Sequence, residues 1–442
     1  MKQFDLVIIG FGKAGKTLAK TAARQGKKVA VIEQSNKMYG GTCINIGCIP
    51  SKVLVHDGEL NKSFVDAFER KSEVVGALNK KNYNTLATDE NIEVVDGKAK
   101  FKSNYEVEVF DDNDKLLDTY TSKNIVINTG ASPVIPDIEG VKTSKRLYDS
   151  TGIMNLSEQP KRLVIIGGGY IALEFASMFN NLGTDVTVLE RSDILMPKED
   201  EEIRNAAIND LTEAGINFVT EAESEKFEDT EDHTIVHTNK GTFEADAVLL
   251  AIGRKPNVDL GLENTDIELT DRKEIKVDEH LRTTREGIYA VGDVKGGMQF
   301  TYISLDDFRI VKDDLYGDKE RTTENRGAVP YTVFIDPPLS RVGMTAKEAK
   351  EASKEIKEGK LPVNSIPRHK INNDPRGLFK AVVDAETNEV LGATLYGKES
   401  EEMINIVKLA IDQKISYEVL RDNIYTHPTM TESLNDLFNV KE

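Results

Sequence analysis

Cysteine is nearly absent: Cys43 and Cys48 are the only two in 442 residues. That scarcity excludes a disulfide scaffold. It also leaves at most half of a tetrahedral zinc site, because zinc wants four ligands and the six histidines are scattered. A surplus of positive charge is missing as well, with 57 Lys and Arg against 75 Asp and Glu and a net charge of −18. Nucleic acid and anionic membrane surfaces select the opposite balance, so neither is expected as a partner. Long apolar runs are lacking too. The one near the N-terminus, Leu6 to Ile9, ends at a glycine, far short of a signal-peptide core or a membrane span. The cytoplasm is therefore the expected compartment. A chain that is 39% hydrophobic and 30% charged is ordinary for a soluble globular protein, and its length allows roughly two to four domains.

The two cysteines stand in Gly40-Gly41-Thr42-Cys43-Ile44-Asn45-Ile46-Gly47-Cys48-Ile49-Pro50-Ser51-Lys52. Pro50 suits the first turn of a helix, where its missing N–H costs nothing, and Ser51 can serve the same turn. Cys48 then lies where unpaired amides and the helix dipole favour a thiolate. The glycines let the backbone turn sharply and a flat ring system approach closely. With no secretory signal, a purely structural disulfide is disfavoured, and the pair reads as one that cycles between dithiol and disulfide.

The rest of the chain begins with a unit that recurs. Leu6-Val7-Ile8-Ile9 leads into Gly10-Phe11-Gly12-Lys13-Ala14-Gly15, a helical stretch to about Gln25, and a second strand ending at Glu33. Such a G-x-G-x-x-G turn brings a pyrophosphate to a helix N-terminus, and an acid at the second strand end accepts from a ribose. Leu163 to Ala172 overlays this unit at an offset of 157 (167 minus 10), placing Gly26 on Gly183 and Glu33 on Glu190. Two dinucleotide sites follow.

A long helical segment is expected after the cysteines, to about Lys80, with Lys52 and His56 on the face of Cys48; His56 also reads as a helix flank. Strands are expected from Asn91 to Asn128, a linker between Pro136 and Pro160, and a solvated loop with its flanks for the acidic run Glu221 to Asp232. The strand Gly287 to Val291 ends in Gly292-Asp293, an acid placed for a ribityl or ribose hydroxyl. From Gly327 the chain reads as α+β without a nucleotide motif. Near its end stands Thr426-His427-Pro428-Thr429-Met430-Thr431-Glu432, in which Thr429-x-x-Glu432 also matches a capping box, before a last helix Glu432 to Phe438.

These pieces together resemble the flavin-dependent pyridine nucleotide–disulfide oxidoreductases, over essentially the whole chain. The resemblance implies an α/β protein with two Rossmann-like domains and a C-terminal α+β dimerisation domain. Residues 1–147 and 258–325 would bind FAD, 148–257 NAD(P), and 326–442 would form the dimer. It places FAD against Gly10, Gly12, Gly15, Glu33, Gly41, Thr42, Lys52, Gly130 and Asp293. The nicotinamide nucleotide falls to Gly167, Gly169, Tyr170, Ile171, Glu174, Glu190, Arg191 and Gly253. Cys43 and Cys48 match the redox-active disulfide, Glu174 the partner of Lys52, and Tyr170 a residue gating the nicotinamide pocket. Cys48 would contact the flavin and Cys43 would attack substrate. His427 and Glu432 match the acid–base pair, with His427 reaching Cys43 across a homodimer interface.

Three stretches, Gly10 to Thr17, Met38 to Cys48 and Thr426 to Phe438, are similar to the bacterial hypothiocyanous acid reductases, or reactive-chlorine-resistance flavoproteins. That subgroup implies a small oxidant as substrate. With two cysteines in all, the extra C-terminal thiol pair of mercuric reductase is absent, and Tyr425 stands where dihydrolipoamide dehydrogenases often have a second histidine. Other readings of the chain are a dihydrolipoamide dehydrogenase or other disulfide reductase, a copper(II) reductase, or a redox-sensing or metal-binding flavoprotein without turnover. No resident metal site is expected. Glu190 repels a 2′-phosphate, which favours NADH, while Arg191 beside it leaves NADPH possible.

Overall fold

A computed structural model describes residues 1–440. Two five-stranded parallel sheets carry the two nucleotide units. In the first, the order is Ile288–Ala290, Ile125–Ile127, Leu6–Ile9, Val29–Glu33, Ile92–Asp96. The second repeats it as Leu147–Tyr148, Ala247–Leu250, Arg162–Ile166, Asp185–Leu189, Asn217–Val219. Parallel sheets are covered on both faces, so their strands must be apolar at nearly every position. Leu6–Ile9 and Val29–Glu33 are accordingly buried throughout. Leu6 and Ile8 face the core under Leu18 of the helix Lys13–Arg24, while Val7 and Ile9 face another with Ile32 and Ile127.

The C-terminal sheet is antiparallel, in the order Tyr331–Val333, Leu339–Gly343, Val390–Tyr396, Leu378–Asp384, Ile356–Pro362. The helix Ser400–Asp412 seals it with Met403, Ile404 and Val407. This is the expected α/β arrangement of two Rossmann-like units followed by an α+β unit.

One core joins the parts that matter for the site. Leu54 and Val55 of the helix Cys48–Glu59 pack with Leu173 and Phe175 of the helix Tyr170–Asn181 and with Val333 and Leu339 of the C-terminal sheet. Each such side chain contributes about 1.5–3 kcal/mol on burial. The helix that begins at Cys48 is thereby clamped between the second nucleotide unit and the C-terminal unit.

Three expectations of local structure are corrected. The helix after the cysteines is two helices, Cys48–Glu59 and Phe64–Ala87. The break is made by Asn61 at φ 54° and by Ser63, whose side chain caps Asp66 N–H. Inside the acidic run, Ser224–Asp229 is a strand paired with Thr234–Thr238, held by the buried Phe227 while Glu225, Glu228 and Asp229 face water. The stretch between Pro136 and Pro160 is more than a linker, since it contains the edge strand Leu147–Tyr148 and the helix Ser150–Ile153. No helix is long and apolar enough to cross a membrane among the described residues.

Candidate active site

The first glycine turn is pressed against one side chain. Gly10 sits at φ +101°, and a Cβ there would lie 2.3 Å from the Asn128 carbonyl oxygen. A Cβ on Gly12 would meet Asn128 Oδ1 at 2.5 Å. That Oδ1 accepts from Gly15 N–H at 2.9 Å, while Asn128 Nδ2 donates to the Val291 carbonyl at 3.0 Å. The helix that follows has no acid in its first turn; with Ala14 N–H taken by Ser304 Oγ at 3.2 Å and Gly15 N–H by Asn128, the amides of Gly12 and Lys13 are left for an anion.

Glu33 closes the turn from the strand end. Its Oε2 accepts from Phe11 N–H at 3.0 Å and its Oε1 from Ser35 N–H at 3.2 Å. Burial pushes this carboxyl up despite those bonds. The second unit copies the device: Glu190 Oε2 accepts from Gly168 N–H at 2.5 Å and Oε1 from Ser192 N–H at 2.8 Å. Gly167, at φ +108°, packs its Cα face on the Ala251 carbonyl, and the helix that follows Gly169 is uncapped. Ile171 is exposed on its first turn and Gly253 turns the chain at φ +119°. Arg191 is exposed beside a shallow basin that also has Asp193, Glu221 and Glu223 in its wall.

Asp293, half-buried, lies in the short turn Gly292–Lys295; burial raises its carboxyl and Arg254 opposes the rise. Gly41, at φ +78°, lies flush on Gly12, where a Cβ would be 2.8 Å from the Gly12 Cα. Gly130, at φ +70°, would put a Cβ 3.9 Å from Thr42 Oγ1.

Both sulfurs are free thiols, the reduced form of the pair. Cys43 is half-buried on the short helix Thr42–Asn45, and Cys48 is exposed as the first residue of the helix Cys48–Glu59. Each thiol acts on the other, and that interaction is the largest cause bringing Cys48 down to about 6 and pushing Cys43 up. Burial adds to the rise at Cys43. Thr301 Oγ1, 3.7 Å from Cys48 Sγ, and the Lys52 charge also favour the Cys48 thiolate. The proton of this dithiol therefore resides on Cys43.

One turn past Cys48, Lys52 Nζ bonds Glu174 Oε2 at 2.6 Å. Glu174 Oε1 accepts from Phe334 N–H at 2.9 Å, and the Phe334 ring lies 4.7 Å under the Lys52 ammonium. His56 is exposed and touches Asp57 at 3.4 Å, as a helix flank does. At the other end of the chain, His427 Nδ1 bonds Glu432 Oε2 at 2.8 Å. The same carboxylate takes Thr429 N–H on Oε1 at 3.1 Å while Thr429 Oγ1 accepts from Glu432 N–H at 3.2 Å, so it is at once a capping box and a histidine partner. The His427 ring holds the Glu432 carboxyl below its ordinary value. That ring is exposed and bonds no residue of the cysteine loop of its own chain.

Residues 4–307 match the model of the pyridine nucleotide-disulphide oxidoreductases, and residues 329–438 match their dimerisation domain. The chain belongs to the pyridine nucleotide-disulphide oxidoreductase family. It is 50% identical, over 100% of both chains, to the Escherichia coli K12 protein described as probable pyridine nucleotide-disulfide oxidoreductase RclA. The mercuric reductase of Staphylococcus aureus is 34% identical, with 98% of this chain and 81% of the relative covered. A solved structure of the Cu(II) complex of the HOCl-induced flavoprotein disulfide reductase RclA from Escherichia coli superposes with a TM-score of 0.97, at 50% identity, covering 99% of each chain.

As a pyridine nucleotide-disulphide oxidoreductase the protein is a flavoprotein enzyme, and the family implies FAD and NAD(P)H as its cofactors. The residues present fit both groups. Each glycine turn is kept free of side chains by contacts that a Cβ would violate, each leads into a helix with no acid in its first turn, and each is closed by a strand-end carboxylate. Several parts of the site have no sequence motif. Asn128 is a lone amide at a strand end. Thr301 opens a helix far from the cysteines. Glu199, buried, accepts from both Tyr170 Oη and Tyr331 Oη, whose rings stack at 5.7 Å, and so ties the first residue of the second nucleotide helix to the C-terminal sheet. No group of three or more His, Cys, Asp or Glu side chains arranged to hold a metal occurs among the described residues.

Proposed function

We propose that this flavoprotein carries electrons from NADH to hypothiocyanous acid through a Cys43–Cys48 disulfide, releasing thiocyanate. The observation that carries the reading is the asymmetric dithiol: an exposed Cys48, acidified by the neighbouring Cys43 and Thr301 and backed by the Lys52–Glu174 pair. In this reading residues 1–147 and 258–325 bind FAD, 148–257 bind the nicotinamide nucleotide, and 326–442 form a homodimer.

Bound FAD would supply the two-electron relay between nicotinamide and sulfur. The chain's own residues do the rest. Asn128 and Glu33 keep the first turn open for the diphosphate and ribose, with Asp293, Gly41, Thr42 and Gly130 bordering the same space. Gly167, Gly169, Ile171 and Gly253 border the second, where Tyr170 acts as gate. Lys52, held by Glu174, keeps positive charge behind the Cys48 thiolate. His427, oriented by Glu432 in the partner subunit, takes the proton from Cys43 and returns it to the leaving oxygen. A small electrophile suits a site whose only reactive group toward substrate is one thiol. The relation to an Escherichia coli protein described as HOCl-induced also favours an oxidant.

The test is to reduce the yellow protein with NADH under nitrogen and follow reoxidation by hypothiocyanous acid, lipoamide, glutathione disulfide and copper(II). Hypothiocyanous acid should be the fastest. Copper(II) is the second reading, because the related Escherichia coli structure is a Cu(II) complex; a faster reaction with copper(II) transfers the assignment to it. Steady-state NADH oxidation by catalytic amounts of protein separates an enzyme from a sensor.

Nucleotide choice rests on Glu190. A carboxylate about 4 Å from a 2′-phosphate is repelled by several kcal/mol at intermediate dielectric, and Arg191 faces an acidic basin. NADH should therefore be the better reductant. Glu190→Gln, which keeps an acceptor and sheds the charge, should raise kcat/KM for NADPH about tenfold or more. A wild-type enzyme that strongly prefers NADPH contradicts the assignment.

A further inference from the structure

Two side chains of the second nucleotide helix share the face that looks toward the sulfurs. Tyr170 is its first residue and Glu174 stands one turn on. Glu174 holds Lys52 behind Cys48. Tyr170 therefore lies between the glycine turn of the second unit and the Lys52–Glu174 pair. Its ring stacks on Tyr331, and Tyr331 stacks in turn with Phe300 at 6.3 Å. The residue after Phe300 is Thr301, whose Oγ1 is 3.7 Å from Cys48 Sγ.

What holds the Tyr170 ring there is Glu199. Both phenol hydroxyls donate to its Oε1, while Oε2 is buried with no hydrogen-bond partner among the described residues and has Arg341 Nη1 at 4.0 Å. The frame of this carboxylate belongs to the C-terminal unit, where Tyr331 and Arg341 are cross-strand neighbours. Arg341 Nη1 donates to the Lys198 carbonyl at 2.6 Å, and Lys380 Nζ bonds Asp200 Oδ2 at 2.7 Å, so both residues flanking Glu199 are pinned to that sheet. Tyr331 is fixed in the same sheet by its strand, whereas Tyr170 is half-buried on the uncapped first turn of its helix. Tyr170 is thus the donor that can leave. Burial, and after it the Glu199 charge, push both phenols up, so each keeps the proton it donates. Because both hydroxyls converge on one oxygen, the departure of Tyr170 leaves Oε1 bonded to Tyr331, and the buried charge is not stranded.

We propose that Glu199 is the positioning residue of the nicotinamide gate: it latches Tyr170 against Tyr331, and entry of the nicotinamide breaks that bond. The assignment deepens the proposed function and rests on its reading of Tyr170 as the gate; it is independent of the oxidant. A bond that must open before a ligand binds lowers the apparent affinity by the fraction of molecules that are open. Through Glu199 the C-terminal unit therefore weakens the binding of the reduced nucleotide in the second nucleotide unit.

The test is calorimetric titration of the full-length holoenzyme with tetrahydro-NADH, an analogue of the reduced nucleotide that donates no hydride, and with ADP-ribose, which lacks the nicotinamide. Glu199→Gln keeps the shape and sheds the charge. Its dissociation constant for tetrahydro-NADH should fall about five- to tenfold, the difference between hydrogen bonds to a charged and to a neutral acceptor. Tyr331→Phe should raise that constant about fivefold, because Tyr170 is then the only hydroxyl on a buried carboxylate and departs less readily. In a Tyr170→Phe background Glu199→Gln should change nothing, since the latch is already gone. ADP-ribose should bind all of these proteins alike. Shifts of Glu199→Gln and Tyr331→Phe in one direction, equal shifts for ADP-ribose, or an undiminished effect of Glu199→Gln without the Tyr170 hydroxyl overturn the latch. So does an unchanged constant in Glu199→Gln where Tyr170→Ala alters it, a result that leaves the gate standing. A constant unchanged in Tyr170→Ala as well removes the gate reading and the latch with it. Should Glu199→Gln lose its flavin, Tyr331→Phe decides alone: a constant that does not rise overturns the latch.

Discussion

A Cys43→Ser chain and a His427→Ala chain should each be nearly inactive alone and recover activity when combined in one dimer. Loss of the attacking sulfur should cost at least about 10³-fold in turnover with oxidant, and loss of the acid–base group about 10²–10⁴-fold. The physical ground is the separation of parts within one chain. Cys48 and burial keep the proton on Cys43, while the His427–Glu432 pair is exposed and bonds no part of its own cysteine loop. In the mixed dimer one site receives an intact Cys43 from one chain and an intact His427 from the other. Co-expressed chains with different affinity tags, purified through both, should show about half of the wild-type activity per dimer, as two-fold symmetry requires. No recovery in the doubly tagged dimer rejects a shared site.

Gly10→Ala should give a colourless protein. A residue with a side chain pays about 1–3 kcal/mol to hold a strained positive φ, and here the new Cβ would also meet the Asn128 carbonyl at 2.3 Å. The turn must open, which displaces Asn128 Oδ1 from Gly15 N–H and spoils the diphosphate cradle. Flavin content should fall at least about tenfold, given about 1.4 kcal/mol per decade. Gly26→Ala is the control, because Gly26 also has a positive φ of +75° but faces open space. It should remain yellow. Flavin absorbance of the purified proteins reads the result, and a Gly10→Ala protein with full flavin content would remove the cradle argument.

The two nucleotide units were legible in the sequence because their signals are local. A buried parallel strand needs an apolar run, a glycine turn needs residues without Cβ, and an acid at the next strand end stands about twenty residues away in a unit of fixed geometry. The repeat at an offset of 157 reappears as two sheets with matching strand order and as two carboxylates making matching bonds, Glu33 to Phe11 and Ser35, Glu190 to Gly168 and Ser192. Local reading erred where one residue outweighed a composition. Phe227 makes a strand of an acidic run by burying one side chain, and Asn61 with Ser63 breaks a helix that periodicity would have continued.

By itself, the sequence determined the fold class, the paired glycine turns, and which two sulfurs are available for chemistry, since each depends on residue type and near spacing alone. Only the tertiary structure decided what surrounds those sulfurs. Lys52 meets Glu174 across 122 positions, and Glu174 meets Phe334 across 160. Such distances are closed by the packing of shared cores, which answer to volume and shape, and no local pattern in the chain encodes which distant polar atoms that packing brings together.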